Sequence, residues 1–272
     1  MFNFLSGIKS KLFLGLCYIS MPIPVAYSIT TGDWSWCLYL IVYLQVVKLF
    51  SSTIGMHRYF AHRAFKTGPI RHKILAYLTV LIASRSPIVF AMNHRHHHRY
   101  SDLTNDTHSP QNSFWKTLTG VWEFNNYEWF KDRGMGNINV KDLVRDPTLV
   151  FIERNYYKIW AWLILITLLI NWKIALFILL PAAGYFHLMA GLINTAGHWN
   201  FPGSYRNFNT TDKSQNNWIW GVFTVGEGYQ NNHHHDMNNT NFGKRWFEID
   251  IGYIFTRLLF DINDPLIKFK RS

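Results

Sequence analysis

Histidine is concentrated in three short stretches of this chain, at residues 57–62, 94–98 and 230–235. Each stretch lies beside long apolar segments, and the 272-residue chain holds 13 histidines in all. Imidazole is the commonest protein ligand for first-row transition metals. If folding brings the three stretches together, they form a multi-histidine metal centre at a membrane surface.

Spacing within the stretches favours shared helix faces. Residues at i, i+3 and i+4 lie on one face of a helix. This spacing is found in His94, His97 and His98, and again in Gln230, His233 and His234. Asn194 and His198 are four residues apart and also share a face.

His57 and His62 do not fit that geometry, because five residues separate them by about 140° on an ideal helix. Either they bind different metals or the helix distorts there. The isolated His72 and His108 are better interpreted as surface or hydrogen-bonded histidines than as ligands.

Composition indicates a membrane protein. The chain is 49% hydrophobic and only 16% charged, against about 25% charged in soluble domains. Its net charge of +11 is spread among apolar runs, which favours an anionic lipid surface over nucleic acid; an acidic partner or anionic headgroup fits equally well. Cys17 and Cys37 lie inside apolar segments, so neither a disulfide nor a thiolate metal site is expected.

Four apolar segments are long enough to be membrane spans. They cover about 12–30, 34–55, 156–171 and 174–195. The first is interpreted as a retained span rather than a signal peptide, and the stretch at 74–83 is too short to cross, so it is interfacial or re-entrant. Lys48, inside the second span, is expected to reach the nearer surface or to lie beyond the hydrocarbon edge.

The basic residues predict the topology. The connections between paired spans contain only Lys173, whereas the N-terminal tail, 56–158 and 200–272 carry nearly all Lys and Arg. The positive-inside rule places those regions in the cytoplasm. We therefore expect one domain, 1–272, in which a cytosolic cap of 56–155 and 196–272 carries all the histidine clusters.

Ligation rich in histidine and free of cysteine suits iron, copper, nickel or zinc. A pair of irons could reduce dioxygen and remove hydrogen from an unactivated alkyl chain. At a membrane surface, lipid tails are the expected substrate.

Four segments carry a resemblance to a known family. They are residues 55–63, 94–102, 194–198 and 225–234, and their order and separation also agree. Across about residues 30–262 the chain resembles the membrane-bound fatty acid desaturases, most closely the acyl-CoA delta-9 (stearoyl-CoA-type) branch. The resemblance implies an all-α integral membrane fold, with four transmembrane helices and a cytosolic helical cap that holds two iron ions.

The ligand positions of that family carry over to eight histidines. They are His57, His62, His94, His97, His98, His198, His233 and His234. The asparagine that holds a metal-bound water in the family falls on Asn194. Gln230 replaces the first histidine of the third cluster and is a weaker ligand than imidazole, so His187 and His235 are candidates to compensate.

Carboxylates near these clusters are candidates to orient the imidazoles. Asp102 and Glu227 are the main candidates; for Asp106 and Asp236 a surface salt bridge is an equally good interpretation. Arg95, Arg99 or Arg145 could hold a phosphate-bearing headgroup. The tryptophans of the cap are interpreted as an interfacial belt or, alternatively, as the lining of an acyl tunnel: Trp115, Trp122, Trp129, Trp218 and Trp220.

The expected reaction is oxygen-dependent desaturation of a long-chain fatty acyl group. The sequence contains no nucleotide-binding glycine motif and no ferredoxin cysteine pattern, so electrons are expected from an external carrier and its reductase. The compact chain favours a bacterial plasma membrane.

Two other functions fit the same residues. A diiron lipid hydroxylase would use similar histidine spacing. A metal-binding membrane protein without catalysis, such as a transporter or sensor, would need ionisable residues along its spans, where only Lys48 and His187 occur.

Overall fold

The computed structural model describes residues 7–120 and 140–260. Regular structure in these ranges is helical, apart from isolated antiparallel bridges that join Tyr205 to Asn216 and Asn216 to Tyr229. The α-helices are α1 (Gly7–Ser20), α2 (Ile23–Thr31), α3 (Ser35–Val47), α4 (Pro69–Leu78), α5 (Pro87–Tyr100), α6 (Phe114–Leu118), α7 (Lys141–Val144), α8 (Pro147–Lys173), α9 (Leu180–His198), α10 (Trp218–Phe223), α11 (Gln230–His235) and α12 (Ile251–Leu259). The predicted all-α architecture is confirmed for the described residues.

Three continuous helical stretches are long and apolar enough to cross a membrane: Lys11–Thr31, Ser35–Ala61 and Pro147–His198. A fourth is possible if the bent pair Pro69–Ile82 and Pro87–Tyr100, with 78° between its halves, forms one span. The stretch predicted at 74–83 lies in this pair. Its bend fits a broken span or a re-entrant loop.

The third stretch contains both of the last two predicted spans. Asn171 has φ −162° and ψ 110°, so the chain leaves helical geometry there, and a π-helical segment, Ile174–Leu179, leads into α9. A non-helical residue between two apolar runs allows the chain to turn back. The four-crossing topology stays a prediction.

The second stretch, Ser35–Ala61, changes from α-helical to π-helical geometry before it reaches His57. Beyond α3 it continues as a π-helical segment, Lys48–Ala61. Ser, Thr and Gly at 51–55 are weak helix formers. Because π-helical bonds join residue i to residue i+5, this segment alters which side chains share a face.

Two glycines of α9 allow its neighbours to approach closely. A Cβ at Gly184 would lie 2.8 Å from the Cys17 carbonyl oxygen of α1, and one at Gly191 would lie 2.0 Å from the Leu118 carbonyl oxygen of α6. Small residues play this part between membrane helices. Seven residues separate the two glycines, so α1 and α6 pack closely against the same face of α9, which ends at His198.

A buried ion pair joins the π-helical segment to the start of α12. The Arg58 side chain is fully buried, donates to Asp250 at 2.9 and 3.1 Å, and lies 4.1 Å from the Phe242 ring centroid. Asp250 also accepts from the backbone N–H of Tyr253 and so caps α12. Truncation of either partner would leave a buried charge without its counter-ion.

Candidate metal centre

Five histidines from three parts of the chain converge on one point. His57 lies within the π-helical segment and His62 directly follows its end at Ala61, His94 and His98 lie one turn apart on α5, and His233 lies on α11. Each offers a ring nitrogen, and these nitrogens all lie within 4.8 Å of one another.

Four of the Nε2 atoms form a closed ring with nearly equal sides. Their successive separations are 2.9 Å (His57–His94), 3.0 Å (His94–His98), 2.9 Å (His98–His233) and 3.0 Å (His233–His57). An ion at the centre of a flat square with sides of this length would lie about 2.1 Å from each nitrogen, which is the usual metal–imidazole distance.

His62 packs against all four of these histidines. Its ring centroid is 4.8, 4.6, 4.7 and 4.6 Å from those of His57, His94, His98 and His233, and its Nε2 is 2.6 Å from that of His94. The His62 backbone N–H donates to the His57 carbonyl at 3.1 Å, the i to i+5 bond of a π turn. The helix thus distorts, and His57 and His62 fall in the same set.

The ring of nitrogens fits a metal better than it fits hydrogen bonds alone. A nitrogen of a neutral imidazole either carries a proton and donates or has a lone pair and accepts, so no Nε2 can do both around the ring. The Nδ1 of His57 faces Glu227 and holds the proton of that imidazole, which leaves its Nε2 with a lone pair. Burial keeps the pKa of His62 and of His233 well below the ordinary value. Both rings are therefore neutral at pH 7, the form that binds metal.

A second set holds three imidazoles. His97 of α5, His198 of α9 and His234 of α11 offer nitrogens within 4.8 Å of one another. The Nε2 atoms of all three are buried and have no hydrogen-bond partner. Such atoms are rare in native structures unless an ion or water binds there.

The two sets lie side by side because α5 and α11 each contribute to both. The rings of His98 and His234 are 4.3 Å apart between centroids, and those of His97 and His98 are 5.7 Å apart. The structure thus brings together all eight histidines named from the sequence, in groups of five and three.

Carboxylates hold the outer nitrogens of the second set. The Nδ1 of His198 bonds to Asp102 at 2.9 Å, that of His97 to Asp106 at 2.9 Å, and that of His234 to Asp212 at 2.6 Å. A carboxylate there keeps the proton on Nδ1 and leaves Nε2 free for metal.

In the five-imidazole set, Glu227 has the same orienting role, because its Oε2 lies 2.5 Å from the Nδ1 of His57.

The imidazole partners of these acids affect their ionisation. Burial alone would raise the pKa of each carboxyl group, but the interaction with its imidazole lowers that pKa by more. Hydrogen bonding to His198 brings the pKa of Asp102 to about 2, and His97 and His234 hold the pKa values of Asp106 and Asp212 below their usual range. All of these acids are ionised at neutral pH.

Gln230 begins α11, one helical turn before His234. Its side chain packs on Gly197, where a Cβ would lie 2.5 Å from Cγ of Gln230, and its amide nitrogen donates to the Glu227 carbonyl at 2.7 Å. The amide oxygen is therefore the only atom of this side chain left to act as a ligand. Asn194 lines the same cavity as Gln230.

The two candidates for compensation lie outside both sets. His187 is buried in α9, and His235 is exposed and stacks on Phe208 with ring centroids 3.9 Å apart. Within the described residues, neither appears in a group that could hold a metal.

Other polar residues depart from their expected roles. Asp106 is buried on His97 rather than in a surface salt bridge, whereas Asp236 accepts from Asn239. His108 is buried rather than on the surface, and its Nδ1 is hydrogen-bonded to the Thr107 hydroxyl, as the alternative interpretation expected. It also stacks 4.1 Å from His97 and forms a further possible ligand group with Asp106 and His97.

Asp212 was missed from the sequence, because 22 residues separate it from His234 and no local pattern links them.

A cavity with about 770 Å³ of empty space, counted to its open mouth, adjoins the five-imidazole set at His57 and His94. His57, His94, His108 and Gln230 form its wall near the metal sets, and α9 supplies Phe186, Met189, Ala190, Ile193 and Asn194. This cavity is long enough along α9 to hold part of an acyl chain.

Lys48 lines the cavity as well, which corrects the expectation that it reaches the membrane surface. Its residue is 5% exposed and its Nζ donates to the Phe223 carbonyl at 2.6 Å. The physical reason is that the last carbonyls of α10 lack helical partners, and an ammonium group satisfies one of them inside the protein.

The remaining sequence expectations concern arginine and tryptophan. Arg95 donates hydrogen bonds to Asp142 and to the carbonyls of Phe60 and Ala61. Its guanidinium group therefore holds α5 against the π-helical segment, which differs from the expected role of binding a headgroup. Trp115 and Trp218 are 72% and 51% exposed, as in a belt. Trp220 borders a small cavity beside Gly197. Trp122 and Trp129 lie outside the described residues.

Comparison with known proteins gives a consistent family. The sequence model of the fatty acid desaturase family matches residues 34–249. A hex-5-enoyl-[acyl-carrier protein] acetylenase from Moorena producens (strain JHB) is 31% identical over 277 residues, which cover 92% of this chain and 83% of that protein.

Two lipid desaturases are also similar. A probable chloroplastic lipid desaturase from Arabidopsis thaliana is 31% identical, covering 92% of this chain and 67% of its own length. An sn-1 stearoyl-lipid 9-desaturase from Anabaena variabilis is 26% identical, covering 90% of this chain and 88% of its own length.

These similarities agree with the apolar helices and the histidine sets. They confirm the family expected from the sequence, a fatty acyl substrate and a lipid environment. The chain therefore belongs to the fatty acid desaturase family and is an integral membrane fatty acyl desaturase.

Proposed function

We propose that this chain introduces a double bond into a long-chain fatty acyl group, with dioxygen as oxidant and two iron ions as cofactor. The observation that carries the proposal is the convergence of five and three imidazoles beside an apolar cavity. The acyl carrier is coenzyme A or a lipid. A topology with four crossings and the cap in the cytoplasm would give both sets access to soluble electron donors.

In this proposal the five-imidazole set holds one iron and His97, His198 and His234 hold the other. Asn194, through a water molecule, and Gln230 complete the second site weakly. The bound irons would supply the capacity to activate dioxygen and remove hydrogen from an alkyl carbon. The site residues enter as ligands and as groups that orient them, with no further acid or base.

The residues that line the cavity would position the acyl chain relative to the five-imidazole set. His57 and His94 line the cavity, whereas His62 does not. An acyl chain in the cavity would therefore meet the five-imidazole set at His57 and His94. Phe90, Phe186 and Ile193 would keep water from that chain.

The overall reaction balances with an external donor. The acyl chain gives up two hydrogen atoms, a carrier supplies two electrons, two protons come from solvent, and dioxygen leaves as two water molecules. Each turnover therefore needs two one-electron deliveries. A separate carrier protein and its reductase would provide them.

The test is expression of the full chain in a bacterial host that lacks its own desaturase, followed by fatty-acid profiling. New monounsaturated acyl chains are expected. His97→Ala should abolish them while the protein stays in the membrane, and His235→Ala should not. Membrane protein that contains no iron after iron-replete growth would contradict the proposal.

A lipid hydroxylase is the alternative, because desaturation and hydroxylation begin with the same hydrogen abstraction. The same profile separates the two. A hydroxylated acyl product without any alkene would replace desaturation with hydroxylation.

A further inference from the structure

The five-imidazole set is reached from a second direction besides the acyl cavity. A surface cleft with about 540 Å³ of empty space is lined by Ala61, His62, Arg63, Arg95, Met237 and Asn238. It shares no lining residue with the acyl cavity. The two openings therefore meet the set through different histidines, His62 on this side and His57 with His94 on the other.

His62 is the contact between cleft and set. His62 lines the cleft, its ring packs against those of His94 and His233 at 4.6 Å between centroids, and the residue is only 6% exposed. A molecule seated in the cleft would therefore meet the five-imidazole set at His62.

The rim of the cleft is basic and rigid. The Arg63 side chain is 54% exposed, and Arg95 lies beside it; both bind Asp142, with the Nε of Arg63 at 2.6 Å and the terminal nitrogens of Arg95 at 3.0 and 3.1 Å. Hydrogen bonding to Arg95, together with Arg63, outweighs burial and brings the pKa of Asp142 to about 2. Two guanidinium groups thus share one carboxylate, which leaves an excess positive charge at the rim.

A further feature of the cleft suits a protein partner. Met237 is 41% exposed in the cleft wall, and methionine and arginine are enriched in protein interfaces. The backbone turns at Arg63, which has a φ of +53°, a left-handed conformation that is uncommon outside glycine.

We propose that this cleft is the docking site of an acidic one-electron carrier protein, and that electrons enter the metal centre through His62. The inference rests on the proposed function, which requires two such deliveries per turnover. In each one, the carrier's haem or iron–sulfur centre is oxidised by one electron and one metal of the centre is reduced by one. The excess positive charge complements an acidic carrier and would speed its association.

The test measures oxidation of a reduced acidic [2Fe–2S] ferredoxin by the full-length, metal-loaded protein in detergent, by stopped-flow absorbance. Arg63→Glu should lower the second-order rate at low salt about tenfold and weaken its salt dependence, because reversal of a rim charge acts on association. Arg63→Gln should give a smaller decrease. Lys213→Glu, the same charge reversal at an exposed lysine that does not line the cleft, should leave the rate unchanged.

A chemical reductant gives the second readout. With dithionite in place of the carrier, Arg63→Glu should form as much product in a single turnover as the wild type, with the same metal content and the same KM for the acyl substrate. An unchanged carrier rate in Arg63→Glu would overturn the proposal. So would a raised acyl KM with a normal carrier rate, which would make the cleft a headgroup site.

Failure of the proposed function would look different. Wild-type protein that accepts electrons from the ferredoxin but forms no alkene would reject desaturation. The carrier rates of the Arg63 variants would still decide whether the carrier docks at the cleft.

Discussion

At the residue scale, the two imidazole sets are unequal. Five nitrogens surround one position, but only three surround the other, because Gln230 stands where a fourth imidazole is expected. A carbonyl oxygen is a harder and weaker ligand than imidazole for iron. The second site should therefore lose its metal first.

Restoring the imidazole tests this inequality. Gln230→His should raise the metal-to-protein ratio toward two after dialysis against a chelator, measured by inductively coupled plasma mass spectrometry. His235→Gln, on the same helix but stacked on Phe208, is the matched control and should not change the ratio. A lower ratio in Gln230→His would mean that the pocket beside Gly197 has no room for an imidazole directed at the metal.

Asp212 gives a second prediction at this scale. Its carboxylate accepts from the Nδ1 of His234 at 2.6 Å and from Ser214 and Thr210. Asp212→Asn should weaken metal binding at the three-imidazole set about 10- to 100-fold, since loss of such a partner disorients the ligand.

Titration of the metal-free protein with Fe²⁺ under anaerobic conditions would measure the Asp212→Asn effect. The five-imidazole set should keep its affinity. Asp236→Asn is the control, because the Asp236 carboxylate accepts a hydrogen bond from the Asn239 side chain rather than from an imidazole. Equal weakening of both sites would point to a general loss of folding.

At the element scale, the π-helical segment explains how two histidines five residues apart serve one site. An α-helix would point their side chains about 140° apart. The π turn closes a bond from the His62 N–H to the His57 carbonyl and stacks the two residues on successive turns. π segments of this kind are frequent at functional sites.

The close approach of α9 and α6 gives a prediction about stability. Gly191→Val should lower the apparent melting temperature in detergent, because the new side chain would overlap the Leu118 carbonyl. Overpacking of this kind costs about 1–3 kcal/mol. Gly15→Val in α1, where a Cβ meets nothing within 4 Å, should leave the melting temperature nearly unchanged.

At the scale of the whole molecule, topology decides which compartment supplies electrons. The proposed orientation puts the turn between α2 and α3 outside and the cap inside. Thr31, near that turn, and Lys213, in the cap, are both exposed. A cysteine introduced at each position should therefore be labelled from opposite sides.

The measurement is labelling of intact bacterial spheroplasts with a membrane-impermeant maleimide, in a Cys37→Ser background. Thr31→Cys should react in intact spheroplasts, and Lys213→Cys only after lysis. The native Cys17 is buried and provides the baseline. Labelling of both cysteines before lysis would place the cap outside and reject the proposed orientation.

The sequence by itself determined the chemistry of the centre and the elements that carry it. The types and local spacing of eight histidines predicted a multi-histidine metal site, because side chains at i, i+3 and i+4 share a helix face. Apolar runs of sufficient length predicted the membrane helices for the same local reason. Asp102 and Glu227 were found because they lie near a cluster along the chain.

Only the tertiary structure decided how these pieces meet. Contacts such as that between His57 and His233, 176 residues apart, depend on which helix faces pack together, and spacing along the chain carries no record of that. This packing divides the eight imidazoles into groups of five and three. It also places Asp212 against His234 and buries the Lys48 ammonium group at the Phe223 carbonyl. The cleft at His62 does too, since its walls come from three separate segments.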